Sequence, residues 1–167
     1  KEAKGMGQYQ FPKGVYYGGD ADEPSATFIE EVQHDLLERY DRVAHMDWHT
    51  ALGPTNEVTM VVSERDGRDV DTLKQTYGLA NVQTYDPQDV LGDSTNHFYY
   101  VRDTHYPDKR LVSALFEFGT FGTSTKATIR EFLTIILENR LYFEGTKDPT
   151  ARNEIRKEFM AMFYPED

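Results

Sequence analysis

Two apolar runs in this chain end alike, and that shared ending limits both fold and chemistry. "RVAHMDWHTALGP", residues 42–54, and "RLVSALFEFGTFG", residues 110–122, each read as a strand that carries an ionisable residue at or near its end. Each then breaks at glycine. Helical periods lie between and beyond them. Ser25 is placed to cap a helix over about 25–40, with Phe28, Val32, Leu36 and Leu37 on its apolar stripe. The strand at 43–49 follows. "EVTMVVSE" is a second strand, closed by "RDGRD", and a helix near 69–77 stops at Gly78. The next strand is 111–118. A long helix from Ser124 keeps Ile129, Phe132, Leu133, Ile136, Leu137 and Leu141 in a 3.6-residue period and ends at Gly145. A last helix carries Ile155, Phe159 and Met162 on one face. Strands alternating with helices define an α/β chain with a mostly parallel or mixed sheet.

Two stretches break this rhythm. Residues 1–24 read as loop and turn, with Gly14, Gly18 and Gly19 and two prolines. Residues 81–110 hold two more prolines, few aliphatics and many Tyr, Asp and His, so a long surface loop with one short strand around 97–101 is expected. A long loop in a compact domain is often functional.

The chain's 167 residues make a single domain, and 38% hydrophobic residues suffice for a core. No apolar run is long enough for a membrane helix. "KEAKGMGQYQ" has no apolar signal core, so a cytoplasmic protein is expected. The chain begins at Lys1 and its first methionine is Met6, so an upstream portion is also expected. A formal net charge of −11 makes nucleic acid and anionic membrane poor partners, since both need basic surface. With no cysteine there is neither a disulfide nor a thiolate zinc site, and any metal must be held by His and carboxylate.

Ligands of open α/β sheets bind outside the carboxyl ends of strands. If strands 43–49 and 111–118 are neighbours, His49 and Glu117 point into one crevice. Glu117 sits between Leu115, Phe116 and Phe118. A carboxylate there is costly unless paired or protonated, and apolar surroundings raise its pKa towards the range of a general acid or base. The plainer reading is a glutamate at a strand end that reaches water. His49 suits a metal or acid–base role, with Asp47 on the same strand face and Thr50 next in sequence able to orient its ring. The plainer reading is a half-buried imidazole satisfied by backbone. His45 shares that face further in and reads as packed. His34 with Glu38, and His105 with Asp108, have ligand-like spacings without a third partner, and His97 has no clear partner.

"GQYQFPKGVYYGG", "DWHTALGP", "LFEFGT" and "EFMAMFYPED", in this order, resemble the C-terminal part of a bacterial zinc carboxypeptidase-like family. That family was formerly a domain of unknown function, related to the carboxypeptidase A and succinylglutamate desuccinylase/aspartoacylase clan. The resemblance covers nearly the whole chain. It implies a mixed sheet flanked by helices on both faces, and residues 1–167 as the C-terminal portion of a metallocarboxypeptidase-like catalytic domain. It also implies Zn²⁺ as cofactor, His49 as a zinc ligand, Glu117 as general base, and Asp47 and Thr50 as supporting or cleft residues. The implied substrate is a small peptide or N-acyl amino acid cleaved near a carboxylate. Tyr99, Tyr100 and Arg102, from the 81–110 segment, are candidates for its specificity pocket.

The sequence also departs from the clan. Its other two zinc ligands come from a His-x-x-Glu, whereas the five histidines here are followed at +3 by Leu37, Trp48, Leu52, Tyr100 and Asp108. Its substrate-binding Asn-Arg pair is absent as well, since Asn139-Arg140 falls inside the long helix. The remaining zinc ligands are therefore expected upstream. The alternative is a non-catalytic relative that keeps the fold and binds a ligand or partner without zinc.

Overall fold

The computed structural model describes residues 4, 5 and 7–164. Lys1, Met6 and the closing "PED" of the last motif lie outside the described residues. The expectation of turns near the start is met over residues 7–23, where Gly14 N–H bonds to the Phe11 carbonyl and Gly18 N–H to the Gln8 carbonyl.

A four-stranded mixed sheet organises the molecule. Its strands are β2 (Arg42–Ala51), β3 (Val58–Ser63), β4 (Asn81–Tyr85) and β6 (Arg110–Gly119), in the order β2-β6-β3-β4. β2 runs parallel to β6, β3 parallel to β4, and β3 antiparallel to β6. Two short strands, β1 (Lys4–Gly5) and β5 (Val90–Leu91), form a separate parallel pair. Five α-helices lie among the described residues: α1 (Pro24–Arg39), α2 (Val70–Tyr77), α3 (Ser94–His105), α4 (Thr125–Glu144) and α5 (Pro149–Phe163).

The helix boundaries follow from local chemistry. The Asp69 carboxylate accepts the Thr72 N–H at the start of α2, and Gly78 ends it in a left-handed conformation at φ 67°. Ser124 caps α4 and Asp148 caps α5, each accepting backbone N–H groups of the first turn. On α1 the structure moves the start by one residue. Pro24 stands at the first helical position and Glu23 at the cap, so Ser25 lies inside the helix.

Alternation along β6 divides the core between the two sheet faces. Leu111 packs with Leu37 of α1 and with Phe98, Tyr99 and Val101 of α3. Ala114, pointing the other way, packs with Met60, Val62, Val82 and Leu73 of α2. Helices therefore cover both faces, as expected. Each large buried side chain contributes about 1.5–3 kcal/mol of transfer free energy.

Two expectations are corrected. Residues 81–110 are not a surface loop, and 97–101 is not a strand. The segment contains β4, β5 and α3. The aromatic run "HFYYV" favours strand on propensity, but Asp93 accepts the N–H groups of Thr95 and Asn96 and so starts a helix. That helix then buries Phe98, Tyr99 and Val101 against the sheet. The second correction concerns α4. Its buried residues are Ala127, Glu131, Thr134 and Leu141, while Ile129, Phe132, Leu133, Ile136 and Leu137 stay 43–57% exposed. The 3.6-residue stripe forms as read, but of its members only Leu141 is buried. Among the described residues, no helix is long and apolar enough to cross a membrane.

Candidate active site

The parallel pairing of β2 and β6 brings their carboxyl ends to one place. Register sets His49 opposite Glu117, and Glu117 opposite Thr59 of the antiparallel neighbour β3. Directly paired residues share a sheet face, so these three side chains form a row across the strands. Asp47, Leu115 and Val61 form the next row inward.

The loop after β2 must then clear β6. Its carbonyl groups pass so close that a Cβ on Gly119 would lie 2.1 Å from the Pro54 oxygen. The approach is fixed by Gly119 N–H to the Glu57 carbonyl at 3.0 Å and by Asn56 N–H to the Gly119 carbonyl at 2.9 Å. Glycine is thus required here for a close backbone approach. Leu52 and Gly53 of this loop close one side of a cleft of about 480 Å³.

Within the cleft, His49 Nε2 lies 3.1 Å from Asp47 Oδ1, and His49 Nδ1 lies 3.5 Å from Glu117 Oε1. One ring nitrogen is thus held by Asp47 while the other faces Glu117. Ser94, at the start of α3, donates to the second oxygen of Asp47 at 3.4 Å. The Glu117 side chain is 12% exposed and the His49 side chain 45%. Burial pushes the Glu117 pKa up; the neighbouring His49 draws it back and Asp47 raises it further. A carboxyl with that bias, open to a cleft and beside an imidazole, can take and return a proton.

Floor and walls are mostly apolar, with Val61, Leu115, Leu52 and Val90 around a few polar groups. Thr59 Oγ1 is buried at this face without a hydrogen-bond partner among the described residues. Tyr85 donates to Asp93 at the far wall, and that carboxylate also accepts from Thr95, so its acceptor sites are already engaged. Gln83 completes the lining on β4.

The cleft brings together Asp47, His49 and Glu117 of the expected residues and none of the others. Thr50 follows His49 and takes the opposite strand face, with Trp48, whose ring stacks on Phe116 and Phe118. Tyr99 is fully buried, its hydroxyl donating to Asp66 at 2.7 Å and accepting the Ser113 N–H at 2.9 Å. Arg102 lies over the Tyr99 ring and bonds to Asp103. Tyr100 lines a different cavity. Of the other histidines, His45 bonds to Ser113 Oγ at 2.8 Å and meets Phe98, and burial lowers its pKa. That is the packed role expected of it. His34 meets the Tyr106 hydroxyl and the His105 ring, and His97 bonds to Gln33.

Thr59, Gln83 and Ser94 were not legible as cleft residues. No local motif marks them; only register across β6-β3-β4 and the unexpected helix α3 bring them there.

A catalytic zinc takes three protein ligands and a water. Among the described residues, no group of three or more His, Cys, Asp and Glu side chains could hold a metal ion. His49 is the cleft's single imidazole. The described residues by themselves therefore do not make a complete zinc centre.

Fold and site define a mixed-sheet α/β protein with an imidazole–carboxylate cleft at paired strand ends. The chain belongs to the family described as "Protein of unknown function (DUF2817)", whose model matches residues 1–167. No curated protein and no solved structure matches it.

Proposed function

We propose that this chain forms part of the active site of a zinc-dependent hydrolase of the metallocarboxypeptidase type. The substrate would be a small peptide or N-acyl amino acid, cleaved at an amide near a carboxylate. One observation carries this reading: His49 and Glu117, singled out by matching strand ends, are register partners facing one cleft. In the mechanism, Glu117 takes a proton from the attacking water and returns it to the leaving amine. Its raised pKa makes Glu117 a stronger base for the first transfer and brings it nearer the operating pH, where both of its protonation states are used. Asp47 fixes the His49 ring through Nε2 and leaves Nδ1 towards Glu117. His49 would donate one metal ligand, with the others supplied by the expected upstream His-x-x-Glu. A zinc held there would supply Lewis-acid activation of water near neutral pH.

The second reading is a non-catalytic ligand- or partner-binding relative. It is favoured by the lack of a three-donor group among the described residues.

Paired variants separate the roles, in protein that carries the complete ligand set, with a panel of N-acyl amino acids and short peptides. Glu117→Gln should lower turnover about 10²–10⁴-fold and leave zinc content unchanged. His49→Ala should lose zinc and activity together. Equal zinc loss in both variants would make Glu117 a ligand instead. Full activity in Glu117→Gln would move the non-catalytic reading ahead. Residues 1–167 alone should not retain stoichiometric zinc, and retention through purification would contradict the ligand assignment.

A further inference from the structure

Thr59 and Glu117 are the buried polar residues of the cleft lining, and they stand directly opposite each other in the antiparallel register of β3 on β6. Each has an unmet hydrogen-bonding group. Thr59 is 3% exposed, and its hydroxyl oxygen has no hydrogen-bond partner among the described residues. Glu117 turns Oε1 towards His49, and its Oε2 accepts no hydrogen bond among the described residues. A buried hydroxyl left unpaired is expensive, and an ionised carboxylate is the stronger kind of acceptor for it. Residues directly opposite across an antiparallel pair have Cβ atoms about 4.5–5.5 Å apart, within reach of a threonine hydroxyl and a glutamate.

The other neighbours offer less. Val61 and Leu115, in the next row, carry no polar side-chain atom. Asn81, opposite Thr59 on β4, is turned to Glu57, donating its amide to Oε2 at 2.6 Å. The Thr59 hydroxyl lies under the loop after β2, where a Cβ on Gly53 would be 3.2 Å from it. A threonine side chain has three staggered positions about Cα–Cβ, and one such turn moves the oxygen out from beneath the loop.

We propose that Thr59 is the positioning residue of Glu117: its hydroxyl turns and donates to Oε2 of the ionised carboxylate, which keeps Oε1 directed at His49. The hydrogen bond is a property of this chain, whereas its effect on turnover rests on the proposed hydrolase function. There it holds the base in one orientation towards the attacking water, without touching substrate or metal.

The sign of a stability change tests this. At about pH 8, where carboxylates are ionised, urea denaturation of the whole chain compares Thr59→Val, Glu117→Leu and the double variant. Thr59→Val should shift the folding equilibrium about 10-fold towards the unfolded chain. In the Glu117→Leu background the acceptor is gone. The same change should then be neutral or favour folding, because a methyl group replaces an unpaired hydroxyl. Thr59→Ser keeps the donor, so its cost should be the same in both backgrounds. In protein with the complete ligand set, Thr59→Val should lower kcat about 10-fold with KM and zinc content unchanged, and Thr59→Ser should recover most of it. Should Glu117→Leu fail to fold, the sign of Thr59→Val decides alone, since removing an unpaired hydroxyl gains stability. A stabilising Thr59→Val, an equal loss in both backgrounds (which would assign the hydroxyl to Asn81 or a water), or an unchanged kcat in Thr59→Val would each overturn the proposal. An inactive parent would end the hydrolase function instead, and the urea cycle would still decide the hydrogen bond.

Discussion

Gly119→Ala is the substitution the site geometry should resist most. The added methyl would lie 2.1 Å from the Pro54 oxygen and 2.6 Å from the Gly53 carbonyl carbon and oxygen, all backbone atoms. No side chain can swing aside, so the loop after β2 must retreat by more than an ångström. Retreat strains or breaks two hydrogen bonds, Gly119 N–H to Glu57 and Asn56 N–H to Gly119. Two such bonds contribute about 0.5–1.5 kcal/mol each, and overpacking costs about 1–3 kcal/mol, giving roughly 2–6 kcal/mol in all. That is a large share of the stability of a typical domain. Urea denaturation followed by the fluorescence of Trp48, the single tryptophan, measures it directly. With a urea slope of about 2 kcal/mol per M, the midpoint should fall by about 1–3 M. Gly78→Ala is the control: nothing lies within 4 Å of its added methyl, and its φ of 67° alone sets the cost, about 1–2 kcal/mol. A Gly119→Ala midpoint at or above that of Gly78→Ala would refute the close approach and, with it, the position of the loop walling the cleft.

Burial should also make Glu117 a pH-dependent liability. Its pKa in the folded chain is raised, so its contribution favours folding below the ordinary carboxylate range and is lost as pH rises through the raised value. Glu117→Gln should therefore gain stability relative to the parent on going from about pH 4 to about pH 7, and a difference that is flat or opposite in urea titrations would contradict this. Tyr99→Phe removes a hydroxyl bonded to both Asp66 and Ser113 and should cost about 1–3 kcal/mol by the same assay. Although burial pushes the Asp66 pKa up, bonds from Arg68 and Tyr99 hold it low, so part of the Tyr99→Phe cost should vanish at acid pH.

What the sequence made legible were features with a local cause. β2 and β6 showed as apolar runs, α2 as a short helix ended by Gly78, and the matching strand ends drew attention to His49 and Glu117. Properties set by tertiary partners were less legible. α3 looked like loop because its core residues are aromatic and its signal is one aspartate cap. Thr50 was grouped with His49 by adjacency, although alternation sends it to the other face. Tyr99 and Arg102 read as cleft residues because their segment read as loop; as helix residues, Tyr99 is core and Arg102 lies over its ring. Thr59 reaches the cleft only through the antiparallel register of β3 on β6. The exposed stripe on α4 is the converse case, a periodicity that fixes the helix and leaves its packing open.

Burial biases the Glu117 carboxyl towards its protonated form, and His49 and Asp47 are tied to it electrostatically. A ¹³C NMR titration of Glu117 in the folded chain tests that most directly, repeated in His49→Ala and Asp47→Asn. The predicted result is a midpoint above that of an ordinary glutamate, higher still in His49→Ala, and lower in Asp47→Asn than in the parent. A midpoint at or below the ordinary value, unmoved by either neighbour, would mean that Glu117 simply reaches water, and the imidazole–carboxylate pair would lose its claim to be an active site.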